Sequence, residues 1–498
     1  MFLRISLLAF IAIIPGISLN PVSGQSRMSG EKKPNVLLIC VDDLRPELGC
    51  YGKSFAKTPN IDRLASRGVV FKRHYVSVPT CGASRASLLT GRLPRLPEDL
   101  SNDVLEIRMS KQTTQTAPGP ESFIEQFRRN GYKTVGMGKV SHSPDGYIYK
   151  YQKPVSKKRE LPNSWDELVF NSGIWNTGWN AFFGYADGSN RNALNGAVKP
   201  YEAADVADED YPDGLTAALA VQKLKELSGQ DKPFLLGVGF FKPHLPFNAP
   251  KKYWDLYQPE DIPPSPYPDI PVGMPLTSLQ ASSEFNSYKM GDEKGSLERS
   301  VSEAYARKLR HAYMASVSYV DAQIGKVLDA LKKEGLDKNT IVILWGDHGW
   351  HLGDDRVWGK HTLTEWSLRS PLIIAMPNQK KGIVRDEIVR SIDIYPSLME
   401  AARIAMPEGL DGKSLMPLMK PGKLKQWDQY AWGYFNQGVT MRTSRYRVTR
   451  YVRNGKPEVE VYDHSMDPYE TRNIAGDDTK LTEHLLKEMQ IRNAGLFR

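Results

Sequence analysis

The chain has 498 residues, 66 Lys+Arg against 57 Asp+Glu, a net charge of +9 and only three cysteines. Hydrophobic residues at 40% and charged residues at 25% are ordinary globular values, which exclude a disordered chain, a collagen-like repeat and a multi-span membrane protein. Three cysteines in this length, with no CxxC pair, exclude a disulfide-dense scaffold and a cysteine zinc site.

Met1-Phe-Leu-Arg4 is a short basic start, followed by an apolar run from Leu7 to Ile14 that Pro15-Gly16 breaks. Small residues follow at Val22-Ser23-Gly24. Residues 1–24 read as a signal peptide, since such a run is too short to span a bilayer; the alternative is an uncleaved anchor. The reading predicts an exported protein, periplasmic or secreted, with a lysosome-like compartment as the lesser option and no stable membrane insertion. The positive charge favours an anionic partner without choosing among nucleic acid, lipid headgroups and acidic glycans.

Residues 35–41, NVLLICV, form a continuous apolar run, as in a strand buried on both faces. Thr58-Pro59 opens a short helix closed by Gly68. A helix over 121–129 leads into a strand at 132–137, and a helix near 214–227 leads into PFLLGVGFF at 233–241. Tyr313, Val317, Val320, Ile324, Val327 and Leu331 repeat at helical spacing, followed by Gly335 and the run TIVILW at 340–345. Strand PLIIAM (371–376) and a helix entered through Asp393 and Pro396 come next. Strands alternating with helices predict an α/β sandwich with a largely parallel sheet over 25–425. Strand-like segments at 430–435, 440–452 and 458–463, then a helix near 480–493, predict a small α+β subdomain over 426–498. Stretches 93–118 and 248–300, rich in Pro, Ser and polar residues, read as long loops that could build a site.

Two acid pairs follow buried strands. Asp42-Asp43 ends the first, and Asp347-His348 ends strand 340–345. In parallel sheets the carboxyl ends of strands bind ligands. Adjacent carboxylates repel unless a cation lies between them, and a hard divalent ion with oxygen ligands meets that need. Taken singly, either pair could be a helix cap or a solvated turn. Cys81-Gly-Ala-Ser-Arg85 then opens a helix closed by Gly91, which puts the cysteine at an anion-attracting helix start.

This last segment, CGASR followed by LTGR (89–92), resembles the signature of the type I sulfatases. DDLRPELGCYG (42–52), GKVSH (138–142), FKPHLPF (241–247), DHGWHLG (347–353) and WGKHT (358–362) resemble the iduronate-2-sulfatase branch of that family. The tail YDHSMDPYETRNIA (462–475) resembles the family's C-terminal subdomain. The resemblance implies an alkaline-phosphatase-like α/β sandwich, a large mostly parallel sheet between helices, with a small C-terminal antiparallel-sheet subdomain. It implies that a maturation enzyme converts Cys81 to formylglycine, whose hydrate attacks the sulfur of a sulfate ester. Asp42, Asp43, Asp347 and His348 match the calcium ligands, with modified Cys81 completing the shell and magnesium as the alternative ion. Arg85 matches the residue that holds the nucleophile and offsets sulfate charge. Lys139 and His142 match the pair beside the nucleophile. His244 and Lys360 match groups that contact sulfate and assist the leaving oxygen. The implied substrate is a sulfated sugar or polysaccharide such as a glycosaminoglycan, with no nucleic-acid partner. Segment 93–118 and WGKHTLTEW depart from the iduronate branch, so the sugar and sulfate position stay open.

Two other readings stand beside this one. A phosphomonoester or phosphodiester hydrolase of the same superfamily is disfavoured by the intact Cys81–Arg85 signature. A carbohydrate-binding protein with a dead site is disfavoured by the complete set of acids and bases. His351, His361 and Trp350 lie beside the metal motif without an assigned role. The aromatics of 165–185 fit either a core or a sugar-binding face.

Overall fold

The central sheet begins with β1 (Asn35–Val41), whose seven residues are all buried. Leu37, Ile39 and Val41 point into one apolar layer, and Val36, Leu38 and Cys40 into the other. This two-sided burial is the physical reason for an unbroken apolar run. The sheet contains β2 (Val69–Tyr75), β3 (Lys133–Gly138), β4 (Glu167–Val169), β5 (Phe234–Phe240), β6 (Thr340–Gly346), β7 (Leu372–Ala375) and β8 (Ile383–Arg390). Its order is β8-β2-β7-β6-β1-β5-β3-β4. β1 pairs in parallel with both β5 and β6, β3 with β5 and β4, and β8 with β2. Only β7 runs antiparallel to its neighbours. The sheet is therefore mostly parallel, as predicted.

Helices α1 (Pro59–Ala65), α4 (Pro212–Ser228) and α5 (Glu303–Lys333) cover one face. Helices α2 (Cys81–Thr90), α3 (Phe123–Arg129) and α6 (Ile394–Ala402) cover the other. In α5 the stripe Tyr313, Val317, Val320, Ile324, Val327 and Leu331 is at most 1% exposed. Each such side chain contributes roughly 1.5–3 kcal/mol on burial. Ser302 caps α5 by accepting from the Tyr305 amide, and Gly335 lies beyond its end with φ 69°.

A second sheet, β9 (Tyr430–Phe435), β10 (Gly438–Thr443), β11 (Tyr446–Arg453) and β12 (Lys456–Asp463), is antiparallel throughout. Helix α7 (Thr479–Arg492) packs Leu485 and Met489 onto it. The single segment expected at 440–452 is two strands of a hairpin. Three strands of the central sheet were not expected: β2, β8 and the three-residue edge strand β4. In β2 the apolar start VVF gives way to KRH, and in edge strand β8 polar residues interrupt the apolar ones.

The protein is described here by a computed structural model covering residues 32–110, 121–151, 155–422, 424, 426–427, 430–453 and 455–497. The expected signal peptide and residues 111–118 of the first long loop lie outside the described residues. Among the described residues no helix is long and apolar enough to cross a membrane. Cys40, Cys50 and Cys81 are all free thiols, which answers whether Cys40 and Cys50 pair.

Candidate active site

Four parallel strands deliver their following residues to one edge of the sheet. Asp42 and Asp43 leave β1, Lys139 leaves β3, Lys242 and His244 follow β5, and Asp347 and His348 leave β6. This is the carboxyl edge, where open α/β sheets hold ligands. Close backbone approach is part of the arrangement. Gly138 has φ 63°, and a Cβ there would lie 2.0 Å from the Gly239 carbonyl. Cys81 is the first residue of α2, with Thr80 as N-cap and Gly91 closing the helix at φ 65°. A Cβ on Gly82 would strike the Asn102 backbone at 2.1 Å, and the Gly82 amide donates to Asn102 Oδ1 at 2.8 Å. Glycine here lets the loop after α2 close against the helix start.

Donor atoms of Asp42, Cys81, Asp347 and His348 all lie within 4.8 Å of one another, and Asp43, Cys81 and His244 form an overlapping group. The His348 Nδ1–H donates to the Gly349 carbonyl at 2.9 Å. That orients the ring and turns Nε2 toward Cys81 Sγ at 3.3 Å and Asp43 Oδ1 at 3.4 Å. The Asp43 amide donates to Asp347 Oδ1 at 3.0 Å, which ties the two strand ends together.

Three cations enclose these acids. Arg85 donates from Nε and Nη2 to Asp347 Oδ2 at 3.1 and 2.9 Å, and from Nη1 to the Lys139 carbonyl. Lys139 Nζ lies 2.5 Å from Asp42 Oδ2. Lys360 Nζ lies 2.9 Å from Asp43 Oδ1 and 3.3 Å from Cys81 Sγ. His244 Nδ1–H donates to the Leu245 carbonyl at 2.6 Å, while Nε2 meets Glu284 Oε1 at 3.0 Å and Asp43 Oδ2 at 3.7 Å. His142 lines the same cavity but makes no such contact. Its Nδ1 has no hydrogen-bond partner, and its ring meets Trp179 edge-on at 5.4 Å.

Burial dominates the electrostatics. It pushes the Cys81 thiol up to about 12, aided by Asp42 and outweighing Lys139 and Lys360. The sequence placed this cysteine at a helix start that would favour a thiolate; desolvation defeats that effect. Burial raises Asp43 well above the carboxylate range despite Lys360 and His348. Asp347 is raised by burial and by its neighbour Asp42. Asp42 is held low because Lys139, His244 and Arg85 together outweigh its burial. Desolvation, then Lys139 and Arg85, push His142 well below an ordinary histidine.

Above the centre is a cavity of about 790 Å³. Glu284 lines it and reaches both His244 and Lys360, the latter at 3.4 Å. Arg191 and Asn102 also line it. Sequence reasoning missed all three, because they come from loops with no motif around them. Trp179, Phe182 and Phe183 form both wall and core, packing on Phe241, whereas Trp165, Trp175 and Tyr185 are interior. His351 is fully buried, bonded to Thr362 Oγ1 and the Asp354 carbonyl, and therefore structural. His361 faces the cavity, and Trp350 lies beneath Lys360 at 5.1 Å.

Comparison with known proteins agrees with this geometry. The family model described as Sulfatase matches residues 34–404. The chain belongs to the sulfatase family. The model described as N-sulphoglucosamine sulphohydrolase, C-terminal, matches residues 346–494 of this sulfatase. A sulfatase of Formosa agariphila is 31% identical over 89% of this chain and 83% of that protein. Human iduronate 2-sulfatase is 32% identical over 75% of this chain and 66% of that protein. Among solved structures, a phosphonate monoester hydrolase of Agrobacterium radiobacter has the same fold, with TM-score 0.71 and 24% identity over 92% of this chain and 94% of that one. The class of chemistry is sulfate-ester hydrolysis.

Proposed function

We propose that this sulfatase cleaves sulfate esters on a sulfated saccharide, in the manner of the iduronate 2-sulfatases it resembles, with a nucleophile made from Cys81 and one bound divalent ion. The carrying observation is the convergence of Asp42, Cys81, Asp347 and His348 donor atoms within 4.8 Å, ringed by Arg85, Lys139 and Lys360.

The residues fit a hard cation. Asp42 Oδ1 is buried with no hydrogen bond and only a 3.4 Å ion-pair contact to Arg85 Nη2, and two further carboxylates are crowded beside it. His348 turns Nε2 toward the same point, and the oxygen-rich set favours calcium, with magnesium as the alternative. Asp42, Asp43, Asp347 and His348 would hold the ion, which when bound supplies Lewis-acid stabilisation of negative charge at the sulfuryl oxygens. The CGASR and LTGR segments around Cys81 support its conversion to formylglycine by a maturation enzyme. In the converted form this position supplies a hydrated aldehyde for attack and for release of the product.

The chain's own groups then have distinct tasks. Arg85, anchored on Asp347 and the Lys139 carbonyl, orients the residue at 81. Lys139 and Lys360 present ammonium groups where charge develops on the transferred group. His244, with Nδ1–H bonded to the Leu245 carbonyl, turns Nε2 to the cavity beside Glu284, where it would exchange a proton with the leaving oxygen. His142, kept neutral by its surroundings, is able to accept a proton beside the nucleophile. The basic start and apolar run of residues 1–14 support export to a periplasm or the medium.

The test is mass analysis of the Cys81 peptide from protein made in its native host, together with sulfate release from a panel of sulfated saccharides. Conversion to the aldehyde and release of sulfate are expected. A quantitatively free thiol in active protein would sink the nucleophile assignment. Faster turnover of matched phosphate esters, assayed beside the sulfated panel, would replace the reading with phosphoester hydrolysis.

A further inference from the structure

We propose that Arg191 forms a second anion subsite, which reads an acidic group of the substrate sugar other than the ester being cleaved. The inference rests on the sulfated-saccharide reading above and adds to it the requirement for a doubly acidic sugar.

Arg191 lies in the wall of the active-site cavity, beyond the groups that serve the reacting ester. Its guanidinium stacks 3.6 Å from the centroid of the Phe183 ring and 5.3 Å from that of Tyr288. Phe183 is 2% exposed and Tyr288 is 1% exposed, so both supports are fixed by the core. Ring faces orient a guanidinium without neutralising it.

Among the described residues no carboxylate forms an ion pair with Arg191. Its hydrogen bonds to Ser287 Oγ and Asn192 Oδ1, at 3.4 and 3.5 Å, go to neutral oxygens and are long. The other strong cations of the cavity differ. Lys139 is committed to Asp42 at 2.5 Å and Lys360 to Asp43 at 2.9 Å. Glu284, which lines the same cavity, feels the charge of Arg191 but makes its ion pairs with His244 and Lys360. A rigid guanidinium with unspent donors, facing a cavity large enough for a sugar, suits the planar fork of a carboxylate or the oxygens of a second sulfate. Lys150 and Lys289, exposed at the rim of the same cavity, add positive charge of the same sign.

A sugar that carries only the reacting ester would leave Arg191 unmatched. A sugar with a further acid, correctly spaced, would gain a charge-assisted bidentate contact, worth ~10–100-fold in affinity. Because this contact is remote from the bond that breaks, its loss should fall mainly on KM.

The experiment uses mature, metal-loaded protein with Arg191→Ala and Arg191→Lys. Three kinds of disaccharide sulfate are compared: one with a uronate carboxylate, one with a second sulfate, and one neutral apart from the reacting ester. The expected result is that Arg191→Ala lowers kcat/KM about 10–100-fold on an acid-bearing substrate, through KM, and far less on the neutral one. Arg191→Lys should restore part of the loss, since lysine keeps the charge but lacks the fork. A loss confined to the uronate assigns a carboxylate, a loss confined to the disulfated sugar assigns a sulfate, and both together assign a general oxyanion site. An equal loss on all three substrates, or none, overturns the subsite and leaves the sulfatase reading standing. Absence of sulfate release from every saccharide by the unsubstituted protein overturns the saccharide reading and the subsite together.

Discussion

Two clusters in this molecule, one fully and one partly buried, combine carboxylates with a histidine, and they are wired differently. One is the centre of Asp42, Cys81, Asp347 and His348 at the sheet's carboxyl edge, overlapped by the group Asp43, Cys81 and His244. The other joins Glu365, His464 and Glu470 beside the small antiparallel sheet. In the second, Arg447 donates to both Glu470 oxygens at 2.6 and 2.7 Å, and His464 Nε2 meets Glu470 Oε1 at 2.8 Å. Glu365 takes Arg442 at 3.1 Å and the Tyr75 hydroxyl at 2.9 Å. Burial raises both of these glutamates, but Arg447 and His464 for Glu470, and Arg442 for Glu365, bring them below the ordinary range. In the first cluster burial wins at Asp43 and Asp347, and Asp42 Oδ1 has no hydrogen bond. The same residue types therefore mean different things. In the second cluster arginine neutralises each glutamate, as in a structural ion network, whereas in the first Arg85 serves Asp347 but burial still prevails at Asp43 and Asp347, which fits the cation proposed for them.

The largest effect that could break this contrast lies in the first cluster. Asp347→Asn removes a ligand and a partner of Arg85 together, so sulfate release should fall about 10³-fold or more. Elemental analysis should find one calcium or magnesium per chain in the parent and much less in the variant. Chelation should lower the melting temperature of the parent, because an ion bound only by the folded state stabilises it. Protein that is fully active with no divalent ion would end the metal assignment.

The second cluster should respond in stability instead. Arg447→Ala leaves Glu470 and Glu460 buried without their arginine, a loss of roughly 3–5 kcal/mol. Metal content per folded chain should be unchanged. The sign of the pH dependence follows from Glu470. Its carboxyl is held below the ordinary glutamate value, so the stability it contributes is present above ~pH 4.3 and is lost as pH falls through the folded value. Denaturant midpoints from pH 7 down to pH 3 should show this acid loss in the parent. In the variant, protonation should begin at higher pH. Loss of the bound ion in Arg447→Ala would show instead that the clusters are coupled.

Legibility in the sequence divides along the same line. The centre could be read because each proposed ligand follows a buried strand, so the apolar run and the acids lie within a few residues of one another. β1 with Asp42-Asp43 and β6 with Asp347-His348 are the cases. Glu284, Arg191 and Asn102 could not be read, because loop residues reach the cavity through tertiary packing with no local period. The second cluster was hidden for a related reason. Glu470 sits in the segment YDHSMDPYETRNIA, but Arg447 is on β11 and Glu365 lies in the large domain, so their meeting depends on sheet register. β2 and β8 escaped because charged residues interrupt their apolar pattern.

The smallest effect tests whether the small sheet touches the chemistry without charge. His361, next to Lys360, stacks on Phe435 at the end of β9, with centroids 5.3 Å apart and planes 9° apart. His361 holds φ at 70°, a conformation that costs energy for a residue with a side chain, so the loop needs outside support. Phe435→Ala removes a stack worth roughly 0.5–1.5 kcal/mol. If the stack positions Lys360, sulfate release should fall about 2–10-fold while metal content and acid stability stay at parental values. Phe435→Tyr, which keeps the ring, should recover the activity. Parental kinetics in Phe435→Ala would instead show that Asp43 and Glu284 alone hold Lys360, at 2.9 and 3.4 Å, and that the small sheet's contribution ends at its own ion network.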